Sequence, residues 1–146
     1  MSIRHLFAIP AAFAVLASCS RDSTSPNEEE ICTGYGEWST SLFVLPYPAG
    51  TSYGVIQGNC SPPGNGHRGA NRYAYDFGMP VGSVITAVRA GTVVDVEESH
   101  TDGQIAASGL DNYLVIRHTD GSTALYGHIT HDGASVGIGD VVAQGQ

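Results

Sequence analysis

No lysine occurs in this chain: all six basic residues are arginine, set against fourteen Asp and Glu, for a formal charge of −8 over 146 residues. A chain this acidic repels phosphate instead of releasing counterions from it, which argues against nucleic acid as a partner. Paired cysteines at C-x-x-C spacing are also missing, so the three cysteines carry no thiolate zinc motif. No stretch outside the first residues shows a helical period, and no apolar run is long enough to span a bilayer. There is no His-x-His anywhere.

What is plentiful is glycine. Nineteen glycines, near twice the usual share, with seven prolines and many short β-branched runs, predict strands joined by tight turns. The chain is long enough for one domain with a modest core, and its 42% apolar and 14% charged content is ordinary for a globular protein. An all-β, antiparallel architecture is expected.

Residues 1–19 begin with Arg4 and His5, continue in an apolar run from Leu6 to Leu16 and finish in small residues, the pattern of an export leader. Leu16, Ala17, Ser18 and Cys19 resemble the bacterial lipoprotein box, whose cysteine becomes the lipidated first residue of the mature chain. The alternative is an ordinary signal peptide cut nearby, with Cys19 incidental. Lipid on Cys19 would tie the protein to a membrane surface without a spanning helix. Ser20, where a retention signal would have Asp, favours the outer membrane over the inner. Residues 20–40 open with the polar run RDSTSPNEEE, which cannot contribute to a core and reads as a tether. Cys32 and Cys60 flank Tyr35 to Gly58, and in an oxidising compartment they are expected to form a disulfide, closing a loop worth about 3 kcal/mol. Zinc ligation by this pair is the rival.

From residue 41 the reading is of strands and turns. Leu42 to Leu45 and Tyr53 to Gln57 are short strands, with Pro46 and Pro48 ending the first or holding it at an edge. Ser83 to Val88 and Thr92 to Val96 are expected to form a hairpin, as are Tyr113 to Arg117 and Thr123 to Ile129 across His118-Thr119-Asp120-Gly121. Glu97 to Asp111 is a polar loop.

The stretch from Gly66 to Val94 carries the chemistry. His67 lies in a Gly/Asn loop and Arg72 to Phe77 alternates like a strand, which predicts Tyr73, Tyr75 and Phe77 on the core face and Asp76 on the other. Imidazole nitrogen and carboxylate oxygen suit a borderline metal such as zinc. On composition alone, a loop histidine and a turn-capping aspartate nine positions apart are more often coincidence than a site.

The stretch nevertheless resembles the lysostaphin-type (LytM-like) zinc endopeptidases that cut peptidoglycan cross-links. The family's first block is matched by DFGMPVGSVITAVRAGTVV, with Asp76, Pro80, Gly82, Val84, Ala87, Gly91 and Val93 in place. Its second block, a strand ending in His, a Gly turn and "YxH", is matched from Asn112 to His128, and SVGIGDVVAQGQ matches the turn before a later strand. The resemblance covers about residues 41–146 and implies the duplicated hybrid motif type of β-sheet domain. It implies zinc held by His67 and Asp76, with His128 as the proton-handling histidine and Tyr126 assisting. Strand alternation places Tyr126 and His128 on one face. His118 reads as structural, and His100 and His131 as solvated loop residues.

Two departures stand out. Eight residues, RGANRYAY, separate His67 from Asp76 where the family's shorter spacing has three. The His-x-His strand that supplies the family's third zinc ligand is not present, so the domain is expected to lack its last strands and this chain to bind zinc weakly and cleave little. Three readings follow. The first is a lipid-anchored zinc endopeptidase of cross-link peptides in the periplasm, with a G-x-H-L-H segment beyond Gln146. The second is a LytM-like lipoprotein that binds peptidoglycan or switches on another hydrolase. The third is a plain surface scaffold sharing only the fold.

Overall fold

The computed structural model describes residues 36–59, 66–67, 71–103 and 110–146. The leader, Cys19, most of the tether, Cys32 and Cys60 lie outside the described residues. Apart from one 3-10 turn at Trp38–Thr40, the described residues form only strands and turns. None of their helices is long and apolar enough to cross a membrane.

Two antiparallel sheets result. β1 (Val55–Gln57) pairs with β2 (Asp76–Phe77), while β3 (Gly91–Glu97), β4 (Tyr113–Arg117), β5 (Thr123–Gly127) and β6 (Val141–Val142) make a four-stranded sheet in the order β5-β4-β3-β6. The β4–β5 hairpin is set by its turn. His118 N–H donates to Ser122 O at 2.8 Å, and Gly121 takes φ 85°, a backbone glycine reaches without a Cβ penalty. Asp120 Oδ1 accepts from both Ser122 N–H and Ser122 Oγ, closing the turn from within.

One face of this sheet carries the small core: Ala87, Val93, Ile116 and Val142 are buried, with Val96, Leu114, Tyr126 and Val136 packed against them. Gly91, opposite Val142, has no room for a side chain, since a Cβ there would collide with Arg117 O and Ile116 Cγ2. β3 is irregular against β4, with a register shift between Val93 and Asp95.

Three expected strands are corrected. Arg72 to Phe77 is a strand only at Asp76–Phe77, because a turn closed by Ala74 N–H to Asn71 O at 2.8 Å occupies its first half. Tyr73 and Tyr75 are consequently 63% and 48% exposed rather than in the core. Phe77 alone of the three is engaged as expected, edge-on to the buried Tyr47 at 5.5 Å. Leu42 to Leu45 is exposed and irregular, with Pro46 and Pro48 removing donors just beyond it. Ser83 to Val88 does not pair with β3. Its bonds go elsewhere, from Thr86 N–H to Pro46 O, from Val44 N–H to Val88 O and from Ala87 N–H to Gln146 O, while β3 pairs with β4 and β6.

Candidate active site

The β1–β2 pairing places Gln57 opposite Asp76. Immediately after β1, Gly58 bridges to Gly66 and its carbonyl accepts His67 N–H at 3.1 Å, so the histidine is delivered to the end of the same small sheet. Gly58 is buried against Tyr75, whose ring carbon would stand 3.4 Å from a Cβ at this position. Asp76 and Phe77, successive on a strand, face opposite ways, and Asp76 takes the side of His67. His67 Nε2 lies 2.9 Å from Asp76 Oδ1, with the imidazole 15% and the carboxylate 44% exposed. Gln57 Nε2 is 3.5 Å from His67 Nδ1, at the long end of hydrogen-bonding range.

Two donors that serve one tetrahedral zinc stand about 3.0–3.4 Å apart, given bonds near 2.0–2.1 Å. The His67–Asp76 pair is close to that spacing and has the right chemistry, and a rotated Gln57 amide would accept Nδ1–H while Nε2 faced the metal. Among the described residues no group of three or more His, Cys, Asp or Glu is placed to hold a metal.

His67, Asp76, Asp111, Tyr126 and His128 all border a broad, open depression whose lining takes in much of the described chain from Gly36 to Gln146. Tyr126, on β5, packs against the core and its hydroxyl accepts Val88 N–H at 2.8 Å. Burial pushes its phenol pKa above the ordinary value, although the Val88 bond pulls the other way. His128 is placed differently from the alternation argument. β5 ends at Gly127 and His128 has φ 59°, so its direction no longer follows from strand parity. Its imidazole is 66% exposed and its Nδ1 is 3.0 Å from Asp111 Oδ1.

The remaining histidines are held or exposed. His118 is 3% exposed, with Nδ1 2.9 Å from Ala90 O and its ring edge-on to Phe43. His100 is pinned through its backbone, which donates to and accepts from the buried Asn112 side chain. His131 is an exposed loop residue with Nδ1 3.4 Å from Asp132 Oδ2. Sequence reasoning missed Gln57 and Asp111. Asp111 was within reach, since a hairpin pairing Tyr113 with Gly127 brings the residues just before Tyr113 up to His128.

The structure is thus an antiparallel β-sheet domain with a His–Asp pair at the end of its smaller sheet. The chain matches the model of Peptidase family M23 over residues 70–146, more than half of its length, and it belongs to that family. Asp76, Tyr126 and His128 fall inside the matched stretch and His67 just ahead of it. No curated protein and no solved structure matches the chain.

Proposed function

We propose that this protein is an exported, zinc-dependent endopeptidase that hydrolyses peptide cross-links of bacterial peptidoglycan, held at the cell envelope by lipid on Cys19. The observation that carries this reading is the approach of His67 Nε2 and Asp76 Oδ1 to 2.9 Å on a groove wall, in a chain of a peptidase family. His67 and Asp76 would hold the metal, and a zinc ion there would supply Lewis acidity toward a peptide carbonyl and a bound water. Gln57 backs the imidazole of His67. His128, with an exposed imidazole on the same groove, takes a proton from the attacking water and returns it to the leaving amine. Tyr126 supports the site from β5, its hydroxyl accepting Val88 N–H and its phenol pKa raised by burial. The open groove suits an extended peptide.

The test uses the full chain with zinc and purified cross-linked muropeptides, read by mass spectrometry. Wild type is expected to convert dimers to monomers slowly but above buffer, with a new free amine, and His67→Ala and Asp76→Ala not at all. A wild type no faster than buffer would remove the enzyme reading. The alternative, a LytM-like lipoprotein that binds peptidoglycan or activates another hydrolase, is favoured by the absence of a third donor beside the pair among the described residues. Co-sedimentation with cell-wall sacculi without cleavage, unchanged in His67→Ala, is its signature.

A further inference from the structure

We propose that Asp111 is a positioning residue for His128: one carboxylate oxygen fixes both the backbone and the ring of this histidine, holding it as the Nδ1–H tautomer with Nε2 open to the groove. The proposal rests on the reading of His128 as the proton-handling group. Asp111 Oδ1 accepts the backbone N–H of His128 at 3.2 Å and stands 3.0 Å from His128 Nδ1, so one oxygen meets both the backbone and the ring of a single residue. His128 follows the last residue of β5 with φ 59°, a left-handed backbone that is uncommon for a non-glycine residue.

The surroundings are built for this. Asn112, next to Asp111, is 4% exposed and clamped by two bonds to the His100 backbone, and its own carbonyl accepts Ile129 N–H at 3.3 Å. The chain is therefore tied down on the far side of both partners. Gly127 completes the seat, since a Cβ there would stand 3.3 Å from Asp111 Oδ2. The carboxylate is itself only 23% exposed. The carboxylate beside Nδ1 favours the proton on that nitrogen, which leaves the lone pair on Nε2, where no described residue stands. A histidine in that state presents Nε2 to the groove as a hydrogen-bond acceptor.

The experiment is long-range nitrogen–proton correlation NMR on the full chain labelled with 15N-histidine, with His128 identified by the signal lost in His128→Gln. Wild type is expected to show His128 as the neutral Nδ1–H tautomer at high pH. Asp111→Asn keeps it, because a carboxamide oxygen still accepts the bond, and Asp111→Ala moves it to the Nε2–H form that free histidine prefers. A wild type already in the Nε2–H form, or an unchanged tautomer in Asp111→Ala, overturns the proposal. If Asp111→Ala does not fold, Gly127→Ala, which crowds the carboxylate from the other side, must move the same signal, and an unmoved signal is equally fatal. On muropeptides, Asp111→Ala is expected to lower kcat about 10- to 100-fold with zinc binding unchanged. Wild type without cleavage but with the Nδ1–H tautomer refutes the endopeptidase reading and leaves the role of Asp111 in place.

Discussion

His67 and Asp76, nine positions apart, meet with Nε2 2.9 Å from Oδ1 although they lie on different backbone elements. A loop residue and a strand residue are brought together by the Gly58–Gly66 bridge on one side and the Gln57–Asp76 pairing on the other. The backbone thus brings the two residues to one end of the small sheet, where their side chains meet.

Zinc affinity follows from the donor count. With two protein donors among the described residues, binding to the full chain is expected in the micromolar range or weaker, lost in His67→Ala and Asp76→Ala and reversed by chelator. Gln57→Ala, removing only the group behind the imidazole, should weaken it about 10- to 100-fold. Equilibrium dialysis with metal analysis decides. Nanomolar stoichiometric zinc would mean that a further ligand joins the pair.

Gly91 tests the packing of the main sheet. Its missing Cβ would meet the Arg117 carbonyl oxygen, which is backbone and cannot swing aside. Gly91→Ala should therefore cost at least about 1–3 kcal/mol, the range of an overpacked core. Urea denaturation followed by circular dichroism would show a lower midpoint, and a midpoint equal to wild type would contradict the crowding.

These two sites also show what the residues disclosed in advance. The β4–β5 hairpin was legible because Asp120 and Gly121 specify their own turn, whereas the approach of His67 to Asp76 was legible only through the resemblance of the surrounding motif, the two residues by themselves being more often coincidence. The aromatic alternation of Tyr73, Tyr75 and Phe77 misled. Period two predicts a strand only if a neighbour pairs with it, and Asn71 to Ala74 satisfies its own backbone in a turn. Ser83 to Val88 was equally strand-like in composition, yet its bonds run to residues 44–46 and to the Gly145–Gln146 end, long-range partners that no local pattern reveals. For His128 the obstacle was a single dihedral. One left-handed residue after Gly127 breaks the parity that would have set it beside Tyr126.

Tyr126→Phe separates support from chemistry. The phenol oxygen is the acceptor for Val88 N–H at 2.8 Å, and removing it leaves a half-buried amide unpaired at a cost of about 1–3 kcal/mol. A lower urea midpoint is expected, with the zinc affinity of the His67–Asp76 pair unaltered. An unchanged midpoint would show that water replaces the hydroxyl.

Asp120 predicts how the hairpin responds to acid. The Ser122 hydroxyl, then the Arg89 guanidinium at 2.6 Å, hold its carboxyl far below the ordinary carboxylate range. A carboxylate whose folded pKa is depressed stabilises the fold above its unfolded pKa, about 3.9, and loses that contribution as pH falls toward the folded value. The group is solvent-exposed, so the effect is small and salt-sensitive. Comparing urea midpoints of wild type and Asp120→Asn should show wild type more stable at pH 7, with the gap narrowing steadily below about pH 4. Added salt should narrow it at pH 7 as well, because the Arg89 contribution is screened. A gap that is the same at pH 7 and in acid would mean that the carboxylate charge does not contribute to closing the turn, and that its oxygens serve Ser122 as neutral acceptors only.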